Sequence, residues 1–142
     1  MLNKLNEIDW EKYSRQGLDS PDFVSLIQDL LSEDRLTRLR AMSELDEQLE
    51  WAYRQGRNEL HDDIIPIFIE LLQSEKLPDK GVVTNLLLEL LSYSEIKTLK
   101  EPYKSQALRL KRCVCLGVET YKSLLADEEI REDIVDLLKS CE

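Results

Sequence analysis

The strongest constraint on this chain is the spacing of its apolar residues, which recur every three or four positions along most of its length. Phe23, Leu26, Ile27, Leu30 and Leu31 form one stripe, and Leu36, Leu39, Met42, Leu45 and Leu49 form the next. That interval places apolar side chains on one face of a helix, whereas one face of a strand repeats every second residue. Only 4 glycines and 4 prolines interrupt the 142 residues, so the expected structure is long helices joined by short turns. A chain of this length can bury roughly two-thirds of its unfolded surface in one core. Residues 1–142 are therefore read as a single all-α domain.

Breakers and caps place the pieces. The first helix is expected from Ile8 to Arg15, ending at Gln16-Gly17, and the second opens at Ser20-Pro21, an N-cap followed by a proline at the first helical position. A third runs from about Glu33 to Arg54 and stops at Gly56. A fourth begins near Asp62 or Asp63, with Pro66 either in its first turn or kinking it. After the break Leu77-Pro78-Asp79-Lys80-Gly81, the segment Val82 to Leu91 is apolar enough to be buried on most sides. Tyr93 to Glu101 lacks periodicity and reads as a connection. Pro102 opens a long helix to Ala126, and a last helix spans Glu128 to Ser140.

An acidic residue followed by two leucines occurs as Asp29-Leu30-Leu31, Glu70-Leu71-Leu72, Glu89-Leu90-Leu91 and Asp136-Leu137-Leu138. Amphipathic helices with a period of about 40 residues are the pattern of a helix-pair array, in which each pair buries its stripe against the next. The length accommodates about three pairs.

These residues resemble a group of bacterial proteins built from HEAT repeats, helical pairs of the armadillo-type superhelix. The resemblance is carried by Ile8-Asp9-Trp10, by Leu30-Leu31-Ser32-Glu33-Asp34 with Arg38, Ala41 and Leu45, and by Gln55-Gly56. It continues through Pro66 before Leu71-Leu72, then Cys113, Gly117, Tyr121, Leu124-Leu125, Asp127 and Arg131. It implies a right-handed α-α superhelix of about three HEAT-like pairs, most often a surface for protein partners. The chain departs from the pattern at Arg54, where similar proteins tend to have histidine before the Gln-Gly pair, and at Pro21, a displaced proline. No role is carried over to Arg54 from that histidine.

Acidic residues number 29 against 19 basic, a formal charge of -10 that repels phosphate and anionic headgroups. Nucleic acid and membrane surfaces are thus excluded as expected partners. No stretch reaches the ~18 apolar residues of a membrane span. Met1 to Trp10 lacks a signal-peptide core, so a cytoplasmic location is expected. Three cysteines are an odd number for a disulfide framework and are read as reduced thiols.

Candidate chemistry is sparse. His61, the single histidine, lacks the companion ligands of a zinc or di-iron site and reads as a polar loop residue beside Asp62 and Asp63. Cys113 and Cys115 lie two apart and face different sides of a helix, so they suit packing better than chelation. Glu129, Glu132, Asp133 and Asp136 read as a solvated acidic face. The one basic segment contains Lys97, Lys100, Lys104, Arg109, Lys111 and Arg112, and reads as charge dispersal on an exposed helix. No phosphate loop or nucleophile elbow is present. No catalytic, metal-binding or cofactor-binding residue is assigned, and no cofactor is expected.

The cluster Trp51, Tyr53, Arg54, Gln55 and Arg57 is the expected partner-binding surface, because aromatic and arginine side chains anchor interfaces. Trp51 or Tyr53 has the alternative of covering the first helix beside Trp10 and Tyr13. The expected function is a noncatalytic protein-binding module whose curved, mainly acidic surface meets another protein, a basic one for preference. One specific alternative is an immunity or inhibitor protein covering a basic toxin. The other is a HEAT-like enzyme, either a DNA-base glycosylase or a bilin lyase. A glycosylase requires a positive concave groove, which separates it from the binding reading.

Overall fold

The computed structural model describes residues 3–15, 23–94 and 103–142. Among them are nine α-helices and no strand: α1 (Asn3–Glu7), α2 (Glu11–Arg15), α3 (Phe23–Asp29), α4 (Arg35–Arg54), α5 (Asn58–Leu72), α6 (Lys80–Ser94), α7 (Tyr103–Cys115), α8 (Val118–Ser123) and α9 (Arg131–Ser140). The Gln16-Gly17 cap, the Ser20-Pro21 start, Lys97 and Lys100, most of the connection up to Glu101, and Pro102 lie outside the described residues. None of the described helices is long and apolar enough to cross a membrane.

Three turns between helices are built alike. Each follows a Leu-Leu pair and contains an aspartate that accepts a backbone N–H just ahead of it: Asp34 from Thr37, Asp79 from Gly81 and Asp127 from Glu129. Each is closed by a cation reaching back to carbonyls of the turn itself or of the last helical residue before it. Arg38 Nη1 donates to the carbonyls of Ser32 and Glu33 at 2.8 and 2.9 Å. Lys80 Nζ donates to those of Leu72 and Ser74 at 3.0 and 3.1 Å, and Arg131 Nε to that of Leu125 at 2.8 Å. The third Leu-Leu pair used this way is Leu124-Leu125; Leu90-Leu91 and Leu137-Leu138 lie inside α6 and α9 instead.

Helices that follow these turns lie side by side and run in the same direction. α6 packs against both α4 and α9. Asp46 faces Glu89 and Tyr53 stacks on Tyr93, so register advances together along α4 and α6. Thr84 donates to Asp133 at 2.9 Å while Ile130 lies beside Gly81, the same relationship between α6 and α9. The helices that precede the second and third turns do likewise. Along α5 and α7–α8, Asp62 pairs with Arg109, Ile69 lies against Gly117, and Gln73 donates to Thr120 at 2.8 Å.

The core runs between these two rows and includes Leu45, Leu49, Leu60, Ile64, Ile65, Phe68, Leu71, Val83, Leu87, Val114, Ile134 and Leu137, none exposed by more than 1%. Burying side chains of this size is the main stabilising contribution, each worth about 1.5–3 kcal/mol before entropy is counted. At the N-terminal end Trp10, Tyr13 and Phe23 form an aromatic cluster with centroids 5.5 to 6.0 Å apart. The Tyr13 hydroxyl bonds the Glu59 carbonyl and the Asp63 carboxylate, and Lys12 pairs with Asp63 at 2.8 Å, which fastens α2 to α5.

Several boundaries differ from expectation for local reasons. Of the helix expected from Ile8 to Arg15, only Glu11–Arg15 is helical; Ile8 to Trp10 separate it from α1, which was not expected, and there the Trp10 indole N–H reaches the Leu5 carbonyl at 2.9 Å. α4 ends in a pair of reverse bonds, Arg57 N to Ala52 O at 2.8 Å and Gly56 N to Tyr53 O at 3.1 Å, with Gly56 at a φ of 70°. This is a Schellman closure that a residue without Cβ adopts freely. α5 starts at Asn58, ahead of Asp62 and Asp63, so Pro66 lies inside it rather than in its first turn. The expected long helix ending at Ala126 is divided at Leu116-Gly117, and the last helix begins at Arg131 instead of Glu128 because Asp127 to Ile130 form the turn.

The reading of all three cysteines as free thiols is overturned. Cys115 and Cys141 form a disulfide across the C-terminal ends of α7 and α9, with Cα atoms 5.5 Å apart. That separation is ordinary for a bridge. Cys113 remains a thiol. Two residues apart on α7, Cys113 and Cys115 do point different ways, as a helix requires, but the outward member meets a partner from a distant part of the chain. The cysteines therefore give no argument for a reducing compartment.

Candidate functional site

A recess lies between α4 and α6, a groove of about 320 Å³ lined by Met42, Ser43, Asp46, Asn85, Leu86 and Glu89. Its geometry follows from the parallel register of the two helices. Met42, Asp46 and Glu50 stand one turn apart on α4, and Asn85, Glu89 and Tyr93 stand one turn apart on α6. Met42 and the buried Leu86 give the groove an apolar floor, and the carboxylates form its rims.

Charge on these rims is one-sided. Burial raises the Asp46 carboxyl above the usual aspartate range, and the neighbouring Glu89 and Glu50 carboxylates push in the same direction. Glu50 is neutralised by Arg54, one turn further along α4, at 2.6 Å. Asp46 and Glu89 have no such cation among the described residues. The Tyr93 hydroxyl is likewise held in its neutral form, by burial first and then by Asp46, Glu50 and Glu89.

A second, polar recess of about 270 Å³ is lined by Gly56, Arg57, Asn58, Glu59 and Arg109 at the start of α5. No side chain caps that helix end. Arg109 is already paired with Asp62, and Glu59 lies within 3.8 Å of Lys12.

The expected surface at the end of α4 is divided by the fold. Tyr53 is buried, its ring 5.0 Å from Tyr93 and edge-on to His61, with its backbone carbonyl accepting from Gln106. Its aromatic company is therefore Tyr93 and His61, while Trp10 and Tyr13 find Phe23 instead. Trp51 is 38% exposed, and Arg54 and Gln55 are exposed beside it in sequence. Trp51 lies about 140° around α4 from Asp46, on the side turned away from the groove. Arg57 is half-buried in the polar recess.

His61 is a core residue rather than a loop residue. It lies within α5 at 3% exposure, and its Nε2 is 3.1 Å from the Leu49 carbonyl. A carbonyl can only accept, so that nitrogen carries the proton. Burial lowers its pKa to about 4, against the opposing pull of its backbone bonds and of Asp62. Sequence alone misplaced it because two neighbouring aspartates suggested a loop, whereas positions 60, 61, 64 and 65 form the buried stripe of α5.

The remaining candidates separate. Glu129, Glu132 and Asp136 are exposed, but Asp133 holds the buried Thr84 hydroxyl and is a structural contact between α6 and α9. In the basic segment, Lys104, Arg109 and Arg112 are exposed and Lys111 is half-buried. Burial pushes the Cys113 thiol up to about 11, the wrong direction for a nucleophile. The groove residues Asp46 and Glu89 escaped the sequence reading because their significance depends on α4 and α6 lying in register. The Met42-Asp46 spacing by itself fits any exposed helix edge. Comparison of the chain with known protein families, with curated proteins and with solved structures finds no match.

Proposed function

We propose that this chain is a noncatalytic protein-binding module of the HEAT-like kind, a right-handed superhelix of three helical pairs that meets its partner through an acidic face. What supports the architecture is the parallel order α4, α6, α9 on one side and α5, α7–α8 on the other, joined through three equivalent aspartate-and-cation turns. Stacked hairpins produce this pattern, because each pair covers its apolar side with the next. Resemblance to bacterial HEAT-repeat proteins at the Asp34-Arg38 and Asp127-Arg131 positions supports it further.

The observation that carries the functional reading is the sign of the groove between α4 and α6. In a HEAT-like stack these second helices line the inner side, where a DNA-base glycosylase needs cations to hold phosphates. In that arrangement Asp46 and Glu89, which line the α4–α6 groove, would stand where those cations are needed. An acidic inner face on a protein of formal charge -10 speeds encounter with a cationic protein and discourages nucleic acid. The same charge favours, as a second reading, an inhibitor that covers a basic toxin.

The test is capture of partners from the native host by the tagged chain, quantified by mass spectrometry against a charge-matched, unrelated acidic protein. A protein enriched only by this chain, and released by moderate salt, supports the binding module. If that protein is a basic toxin encoded beside it, the inhibitor reading follows. Enrichment no different from the acidic control argues against both.

A further inference from the structure

We infer that the α4–α6 groove is the docking site for a cationic amphipathic helix of a partner protein, with lysine or arginine side chains seated between the Asp46 and Glu89 rims and an apolar side chain on Met42 and Leu86. The inference rests on the binding-module reading and names the site and the chemistry of what fills it.

Three features of the groove lead to this occupant. The apolar floor and charged rims are those of a helix-receiving groove, which recognises apolar anchors and the charges that flank them. Both rims repeat every four residues, Asp46 and Glu50 on α4 and Asn85 and Glu89 on α6, so polar groups recur about every 6 Å along the groove. Polar side chains at positions i and i+4 of an incoming helix have the same spacing, with the cation at the level of Asp46 and Glu89. Finally, the groove holds negative charge that no described residue offsets. Arg54 satisfies Glu50, while Asp46, half-buried, faces Glu89 across the groove with no cation against either among the described residues. Bringing like charges together costs stability, and an incoming ammonium or guanidinium removes that cost on binding.

A synthetic helical peptide of leucine and lysine, lysines at i and i+4, is a suitable probe because it needs no identified partner. Titrated into the full chain and followed by backbone amide shifts, it is expected to perturb residues 42–50 and 85–93 first. The double substitution Asp46→Asn with Glu89→Gln is expected to weaken it about tenfold, and Glu132→Gln with Asp136→Asn, which removes equal charge from α9, by about twofold or less. The groove substitutions relieve repulsion, so the variant is expected to melt no lower than the parent, which separates lost binding from lost folding. Equal weakening by the two variants, or shifts centred on α9, overturns the inference. A captured native partner that binds the groove variant as tightly as the parent overturns the groove assignment while leaving the binding-module reading intact. Absence of any specific partner counts against that reading alone, because the peptide titration reports on the groove independently.

Discussion

Arg38 and Arg131 occupy the same place in two turns far apart in the chain, each guanidinium folded back onto carbonyls five and six residues before it. In each case the arginine occupies the first turn of the new helix and ties off the turn that ends the old one. Charge-assisted bonds to carbonyls that would otherwise be left to solvent are worth more than neutral ones, though exposure to water discounts them.

Arg38→Ala and Arg131→Ala are each expected to cost about 1–2 kcal/mol, and the exposed Arg40→Ala less than about 0.5 kcal/mol. Urea denaturation midpoints at constant slope measure this directly. Equal effects at all three positions would remove the structural distinction between them.

Gly117 is required by packing. A Cβ built there would lie 2.6 Å from Tyr121 Cζ and 3.0 Å from Ile69 Cδ1. Tyr121 is fully buried, with its hydroxyl 2.7 Å from the Val114 carbonyl across the α7–α8 break, so it has little room to yield. Gly117→Ala is expected to destabilise by about 1–3 kcal/mol, and Gly117→Ala with Tyr121→Phe to recover little, since the ring itself is in the way. A thermal melt unchanged by Gly117→Ala contradicts this packing.

His61 is expected to weaken the fold in acid. Its folded value of about 4 lies below the ordinary 6.5, so its contribution is complete above pH 6.5 and is lost as pH falls toward 4. The loss approaches roughly 3 kcal/mol at one unit of pKa per about 1.4 kcal/mol. Unfolding free energies at pH 7 and pH 4.5 in the parent and in His61→Gln check it: the parent falls more steeply. Parallel pH profiles would show that burial does not hold this imidazole neutral.

The Cys115–Cys141 bridge closes a loop spanning 26 positions of sequence. Chain-entropy arguments give such a loop about 3 kcal/mol of stabilisation, through the unfolded state. Reduction under native conditions is expected to lower the melting temperature by several degrees. Thiol titration in denaturant without reductant is expected to find Cys113 alone. Three titratable thiols in the protein as purified from an oxidising medium would contradict the pairing.

Much of the fold was legible in local pattern. Leucine spacing located α4 to within two residues at each end, and Gly56 marked its stop through the one backbone conformation that favours glycine. The Asp34-Arg38 and Asp127-Arg131 pairs were visible as residues, and their reach back to carbonyls became apparent only in three dimensions. What local pattern cannot carry is the relation between helices. Tyr53 read as a surface anchor because it sits among Trp51, Arg54 and Gln55, yet a step of 200° from Trp51 turns it into the core. Cys115 found Cys141, and Asp46 found Glu89, through stacking that no single helix encodes.

The claim on which the functional account turns is that the face made by α4 and α6 meets the partner. Hydrogen–deuterium exchange of the full chain, alone and with the captured native partner, tests it most directly. Protection concentrated at residues 42–50 and 85–93, and removed by Asp46→Asn with Glu89→Gln, is the expected result. Protection confined to α5 and α7, with residues 42–50 exchanging as they do in the free chain, would contradict it.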